Sequence, residues 1–258
     1  MKLTSKQFNP VLDLIAKVGE KLIVWQNDLA YRKVHSKKDF KTEADLKAHE
    51  FLKKGLSSLF PGVPVISEED VSHFNERPRE YWLIDPIDGT ASWFNGYIGF
   101  VSQAALMVNG RPAFGVIHSP LMKAIWCAER NKGAFLNGAP LPKLKKHSRL
   151  KFIDNTPQPH GITKEIMKRL GTDLYMECGS IGLKSVLVAD GTADAFVKDV
   201  IVRDWDLAPA DMILTEVGGS ISLLNGEKYC YSGNYEKENG FIVARDASLM
   251  MKIIELQV

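Results

Sequence analysis

The chain has 258 residues, enough for one large domain or two moderate ones sharing an interface. Hydrophobic residues are 45% and charged residues 25%, and the formal charge of +2 gives no bulk electrostatic drive toward nucleic acid or membrane. No apolar run reaches the ~18 residues of a membrane span, and Met1-Lys2-Leu3-Thr4-Ser5-Lys6-Gln7 lacks the apolar core of a signal peptide. Cys127, Cys178 and Cys230 have no C-x-x-C spacing and read as reduced thiols, so a cytoplasmic protein is expected.

Residues about 4–30 read as a helix that Thr4 can cap, with Phe8, Val11, Leu12, Ile15, Val18 and Leu22 on one face. A second helix runs from about Ala44 to Leu59, with Ala48, Phe51, Leu52, Leu56 and Leu59 as its stripe. Pro61-Gly62 stops it. Val63-Pro64-Val65-Ile66 is a short strand ending at Ser67-Glu68-Glu69-Asp70. Tyr81-Trp82-Leu83-Ile84 fits a buried strand that Pro86 and Gly89 end sharply. After Thr90 the texture turns β-rich: Asn109-Gly110, Asn137-Gly138 and Asn225-Gly226 lie between apolar runs and suit two-residue hairpins. The basic stretch from Lys143 to Lys151 reads as a solvated crossover between domains rather than an anion-binding patch.

The second half alternates strand and helix, as α/β layers do. A helix spans 181–190 after Gly179-Ser180, a strand spans Ala193 to Val197, and a helix runs from Leu207 to Val217. In that last helix Ala210, Ile213, Leu214 and Val217 face inward, and Gly218-Gly219 closes it. The expected organisation is an N-terminal α+β domain over 1–145 and a C-terminal α/β domain over 146–258.

Asp85-Pro86-Ile87-Asp88-Gly89-Thr90 is the most informative segment. Two carboxylates leave a buried strand onto a Gly-Thr step, where carboxylates can hold a hard cation and amides plus a hydroxyl can hold a phosphate. Other acids occupy comparable positions: Glu68 and Glu69 after the Val65-Ile66 strand, Asp45 at the start of the second helix, Asp206 ahead of Leu207. Taken singly each has a bland alternative, an N-cap for Asp45 and Asp206 and a solvated turn for Glu68. Gathered together they would repel one another unless a divalent cation joined them.

The ordered set Thr42–Asp45 (T-x-A-D), Val63–Asp70 (V-P-V-I-S-E-E-D), Trp82–Thr90 (W-L-I-D-P-I-D-G-T) and Trp205–Gly219 (W-D-x-A-P-A…T-E-x-G-G) resembles the inositol monophosphatase superfamily. The resemblance implies a layered α-β-α-β-α sandwich and a Mg²⁺-dependent, often lithium-sensitive phosphomonoesterase with two or three ions. It implies that Glu68, Asp85 and the Ile87 carbonyl hold one ion, that Asp85, Asp88 and Asp206 hold a second, and that Asp45 positions a third or the attacking water. Thr90, with Glu68 or Asp45, would activate that water, and the Gly89 and Thr90 amides would grip phosphate. Glu69 would stand behind the ligands. None of the six histidines is needed, and His49 reads as a partly exposed helix residue.

For the rest of the substrate, the resemblance points to Gly179 and Ser180 at a helix start. Lys184, one turn on, is similar to the branch that hydrolyses 3'(2'),5'-bisphosphate nucleotides, where a second phosphate needs a cation. Asp199, or its neighbour Lys198, falls where inositol enzymes place an acid for sugar hydroxyls. The leading expectation is therefore 3'-phosphoadenosine 5'-phosphate. Inositol 1-phosphate is the alternative, then another sugar phosphate or histidinol phosphate, and a non-catalytic phosphate binder is the reading from a different class. In its bland reading Lys184 is a solvated helix residue. The partner expected is a small phosphate monoester, not a nucleic-acid polymer or a membrane, and a homodimer is compatible with the sequence.

Overall fold

In a computed structural model describing residues 6–36, 40–70, 77–147 and 149–256, two large sheets carry the fold. A 3-10 turn at Lys6–Phe8 leads into α1 (Asn9–Trp25); β1 (Val34–Ser36) and β2 (Lys41–Thr42) pair antiparallel and lead into α2 (Glu43–Leu59). The first helix stops at Trp25 rather than near residue 30, because the chain turns there and Asp28 Oδ1 accepts the Ala30 N–H. Its expected cap, Thr4, lies outside the described residues.

The first sheet follows chain order: β3 (Val65–Ser67), β4 (Glu80–Asp88), β5 (Val101–Val108), β6 (Arg111–Ser119), β7 (Ala124–Glu129), β8 (Ala134–Leu136) and β9 (Ala139–Pro140). β3 runs parallel to β4 and the remaining neighbours are antiparallel. The short α3 (Thr90–Phe94) sits between β4 and β5. Asn109-Gly110 and Asn137-Gly138 turn β5 into β6 and β8 into β9 with φ positive at both residues, as expected of such turns. At Asn225-Gly226 only the glycine is left-handed, and the turn closes on an isolated Ser222–Lys228 bridge.

A largely exposed crossover over 141–147 leads on to β10 (Lys151–Asp154), α4 (Gly161–Leu170), β11 (Leu174–Glu177), α5 (Ile181–Ala189), β12 (Ala195–Lys198), β13 (Val202–Arg203) and α6 (Asp204–Val217). β14 (Ser220–Leu223), β15 (Glu236–Lys237), β16 (Phe241–Ala244) and α7 (Ala247–Glu255) complete the chain. The second sheet has the order β11-β10-β12-β16-β14, with β16 antiparallel to both of its neighbours.

Alternation along the strands builds the layers. On β4, Trp82 and Ile84 pack toward α1 and α2, while Tyr81 and Leu83 face α5 and α6. On β16, Phe241 and Val243 face that same middle layer, while Ile242 and Ala244 meet α4 and α7. The order is α1/α2, first sheet, α5/α6, second sheet, α4/α7: an α-β-α-β-α sandwich. α5 and α6, clasped between sheets, are buried on nearly every side rather than along one stripe.

The loop before β5 touches the start of α5 backbone to backbone. A Cβ on Gly99 would lie 2.4 Å from the Gly179 Cα, and one on Gly179 would lie 2.5 Å from the Gly99 carbonyl. Gly99→Ala should therefore lower stability by about 1–3 kcal/mol through overpacking. Gly133→Ala, where φ is +84° but nothing lies within 4 Å, should cost only its backbone strain, about 1 kcal/mol. Urea titration of the two variants checks this; equal losses would contradict the close contact.

Candidate metal and phosphate site

The site begins with a bulge in β4. Asp85 pairs with Gln103 and Asp88 with Val101, so three steps along β4 match two along β5. In a regular strand residues i and i+3 point to opposite faces. The extra residue, beside a proline that cannot donate to the ladder, turns Asp88 to the side of Asp85. Both carboxylates are buried, and Asp85 Oδ1 accepts the Ile87 N–H at 3.1 Å.

Three other segments bring acids to the same place. β3 is the parallel neighbour of β4, and Glu68 follows it, its N–H donating to the Ile84 carbonyl at 3.3 Å. Asp206 stands in the first turn of α6, where Oδ2 accepts the Arg203 N–H at 2.8 Å. Asp45 stands in the first turn of α2, where Oδ2 accepts the Thr42 N–H at 2.7 Å and the Thr42 hydroxyl at 2.6 Å. Neither aspartate is the N-cap residue itself. Each is the third helical residue reaching back to the cap, which leaves its other oxygen free to point elsewhere. Asp45 Oδ1 accepts the Thr90 hydroxyl at 2.8 Å, and that hydroxyl also lies 3.0 Å from the Ile87 carbonyl.

The acids act on one another. Burial raises Asp85 well above the usual carboxylate range, and the charges of Glu68, Asp88, Asp206 and Glu69 raise it further. Burial, then Asp88 and Glu68, do the same to Asp206. Glu68 is raised by burial despite Lys41 and Arg203 nearby, and Asp45 is raised by burial despite its threonine partners. Glu69 is pushed up to about 7 by burial, although Lys41 Nζ lies 3.2 Å from it. Among the described residues, no three His, Cys, Asp or Glu side chains already converge at metal-ligand distance. They are near neighbours that repel, with Lys41 and Arg203 as incomplete compensation. An oxygen-only, negatively charged cluster under this repulsion fits a hard divalent cation, which favours carboxylate and carbonyl ligands. His49 lies outside it, half-buried, with Nε2 3.6 Å from Asp70.

Asp88 has a second task. Its carboxylate accepts the Ser180 hydroxyl at 2.7 Å, the Gly182 N–H at 2.6 Å and the Ile181 N–H at 3.2 Å, so it caps the N-terminus of α5. Ser180 Oγ in turn accepts the Leu183 N–H at 3.0 Å, with its own backbone held at φ 56°. Beside this junction opens a cavity of about 470 Å³. Asp88, Gly89, Gly179, Ser180 and Lys184 are among its lining residues.

Lys184 corrects its bland reading. It is not solvated but buried, with Nζ 3.4 Å from the Cys178 carbonyl and 4.8 Å from the centre of the Phe196 ring. Asp199 does not join the group: it is exposed beyond the end of β12 and does not line the cavity. Its neighbour Lys198 instead binds Asp154 at 2.6 Å and Asn155 at 2.8 Å. Sequence reasoning missed Lys41, Arg203 and Tyr97. The first two adjoin recognised motifs, directly before Thr42 and Asp204-Trp205-Asp206, and that adjacency was the available signal.

The inositol monophosphatase family model matches residues 8–258. A 3'(2'),5'-bisphosphate nucleotidase CysQ from Aggregatibacter actinomycetemcomitans is 31% identical over 89% of each chain. A fructose-1,6-bisphosphatase/inositol-1-monophosphatase from Thermotoga maritima is 29% identical over 95% of each. In fold, the extragenic suppressor protein suhB from Bartonella henselae superposes with a TM-score of 0.83 at 22% identity, over 96% of this chain and 97% of that one. The chain belongs to the inositol monophosphatase family and is a phosphatase, a hydrolase of small phosphate esters.

The raised carboxylates have a thermodynamic sign. A folded-state pKa above the unfolded value means that the metal-free fold keeps protons the unfolded chain has lost, so stability falls as pH rises through that window. The window opens near the ordinary carboxylate range and passes the value of about 7 at Glu69. A cation that binds the deprotonated cluster opposes the fall. The rise in Tm caused by Mg²⁺ should therefore be small near about pH 5 and reach several degrees near about pH 8. A Mg²⁺ shift that is absent or independent of pH in calorimetry would contradict the cluster's role.

Proposed function

We propose that the protein is a Mg²⁺-dependent phosphomonoesterase that acts on 3'-phosphoadenosine 5'-phosphate, releasing one phosphate. The observation that carries the substrate is Lys184. Burial lowers its pKa to about 8 even though Asp88 favours the charge, so at neutral pH this cavity-lining residue carries a desolvated ammonium with one long carbonyl contact and an aromatic face. A second phosphate is a suitable partner for such a group, and a monophosphate gripped at Gly89 and Thr90 does not supply one. The resemblance to nucleotidases of the CysQ type supports the same reading. Inositol 1-phosphate draws less support, because the acid expected for sugar hydroxyls, Asp199, stands away from the cavity.

In this reading Glu68, Asp85 and the Ile87 carbonyl would hold one ion, Asp85, Asp88 and Asp206 would hold another, and Asp45 would serve a third or the water. Bound Mg²⁺ would supply charge neutralisation and Lewis acidity at the phosphoryl group. The protein's own groups do the rest. The Thr90 hydroxyl can pass its proton toward Asp45 Oδ1 while its oxygen accepts from the attacking water, so the pair orients that water and takes up its proton. The N–H groups of Gly89 and Thr90, at the start of α3, would donate to the phosphoryl oxygens.

Two variants test the reading. Asp85→Asn should lower Mg²⁺-dependent phosphate release by about a thousandfold or more. Metal-free, the variant should melt at or above the wild type, since a repelled charge is gone. Near-wild-type turnover by pure Asp85→Asn would rule out the metal role. Lys184→Ala should raise KM for 3'-phosphoadenosine 5'-phosphate about tenfold or more while changing a nucleoside monophosphate far less. Equal losses on both, or a wild-type preference for inositol 1-phosphate in a side-by-side panel, would overturn the substrate assignment.

A further inference from the structure

One wall of the catalytic cavity carries a group with no role in phosphate or metal chemistry. Tyr97 lines the cavity from the loop between α3 and β5 and is 67% exposed. Among the described residues its ring stacks on no other aromatic, unlike the rings of Tyr31, Tyr229, Tyr231 and Tyr235, and its hydroxyl has no hydrogen-bond partner, unlike those of Tyr229 and Tyr231. The backbone beneath it is nevertheless fixed. The Tyr97 N–H donates to the Ser92 carbonyl at 2.9 Å, the Gly96 N–H to the Trp93 carbonyl at 3.2 Å, and the Asn95 side chain to the Ala91 carbonyl at 2.8 Å. Two residues on, Gly99 is pressed against Gly179. A large apolar ring is thus presented from an ordered loop, and the fold makes no use of its faces.

Two polar residues from the second sheet also line the cavity: Asn155, just after β10, and Glu177, the last residue of β11. Asn155 spends its carbonyl oxygen on Lys198 and keeps its amide donors, while Glu177 offers an exposed carboxylate. One aromatic face in the same cavity as a donor and an acceptor is the chemistry that recognises a flat heterocycle with polar edges. A cyclitol or sugar phosphate has no such face, whereas a nucleobase has one whatever its sequence of edge groups.

We propose that Tyr97 is the nucleobase platform of this phosphatase, the residue that selects nucleotides over sugar phosphates by stacking on the base. The inference rests on the nucleotide reading above and deepens it: Lys184 would recognise the second phosphate and Tyr97 the base.

Steady-state kinetics on two bisphosphates separates the parts. The probes are 3'-phosphoadenosine 5'-phosphate and its abasic counterpart, 1-deoxyribose 3,5-bisphosphate, with inositol 1-phosphate as a control. Tyr97→Ala should raise KM for the nucleotide about tenfold or more, with kcat retained within about twofold, and move the abasic KM by less than about twofold. Tyr97→Phe, which keeps the ring, should restore the nucleotide KM. An unchanged nucleotide KM in Tyr97→Ala, or equal rises on the nucleotide and abasic substrates, would overturn the platform while leaving the nucleotide reading standing. A wild-type enzyme that cleaves inositol 1-phosphate but neither bisphosphate would overturn the nucleotide reading, and the platform with it.

Discussion

Mutual repulsion among buried carboxylates is the constraint around which this molecule is arranged. Asp85, Asp88, Glu68 and Asp206 come from two adjacent strands and a helix of the middle layer, and the charges of Glu68, Asp88 and Asp206 raise the proton affinity of their neighbours. A fold selected for stability alone would separate them, since buried charge without a partner is costly. Lys41 and Arg203 lower the repulsion without cancelling it. In the proposed function that unbalanced negative charge would give the site its affinity for a divalent cation, and through the cation for a phosphoryl group.

Holding the acids together requires contact across the sandwich. Asp88 belongs to the first sheet yet caps α5, which packs between the two sheets. Gly99 and Gly179 let the β4–β5 connection approach the start of α5 more closely than any side chain would permit, and Gly89 does the same within that connection, where its Cβ would lie 2.6 Å from the Gly99 carbonyl. The acid cluster and the cavity therefore share one junction at Asp88. A disturbance there would loosen cation binding and substrate binding together.

Much of this was legible in the sequence, and the gaps have physical causes. The apolar Tyr81–Ile84 run and the two Asn-Gly hairpins were readable because strand burial and left-handed turns leave strong local signatures. The bulge between Asp85 and Asp88 was not, because pairing register is set by a partner strand. Asp45 and Asp206 read as caps because an aspartate just ahead of an apolar helix looks the same whether it is the cap or reaches back to it. α4 and α7 escaped notice: each buries only a few residues against the outer face of the second sheet, Ile166 and Met167 in one and Leu249, Met250 and Ile253 in the other. The burial of Lys184 had a clue, a single charge in the otherwise apolar helix Ile181–Ala189, but only the second sheet above it turns that clue into a desolvated ammonium.

Anomalous diffraction from a crystal soaked in Mn²⁺, an electron-rich substitute for Mg²⁺, tests the central claim most directly. Peaks lying between the carboxylates of residues 68, 85, 88 and 206, with the side chains drawn in around them, are the result expected. Acids that keep apart with no peak among them, or manganese bound only elsewhere on the molecule, would contradict it.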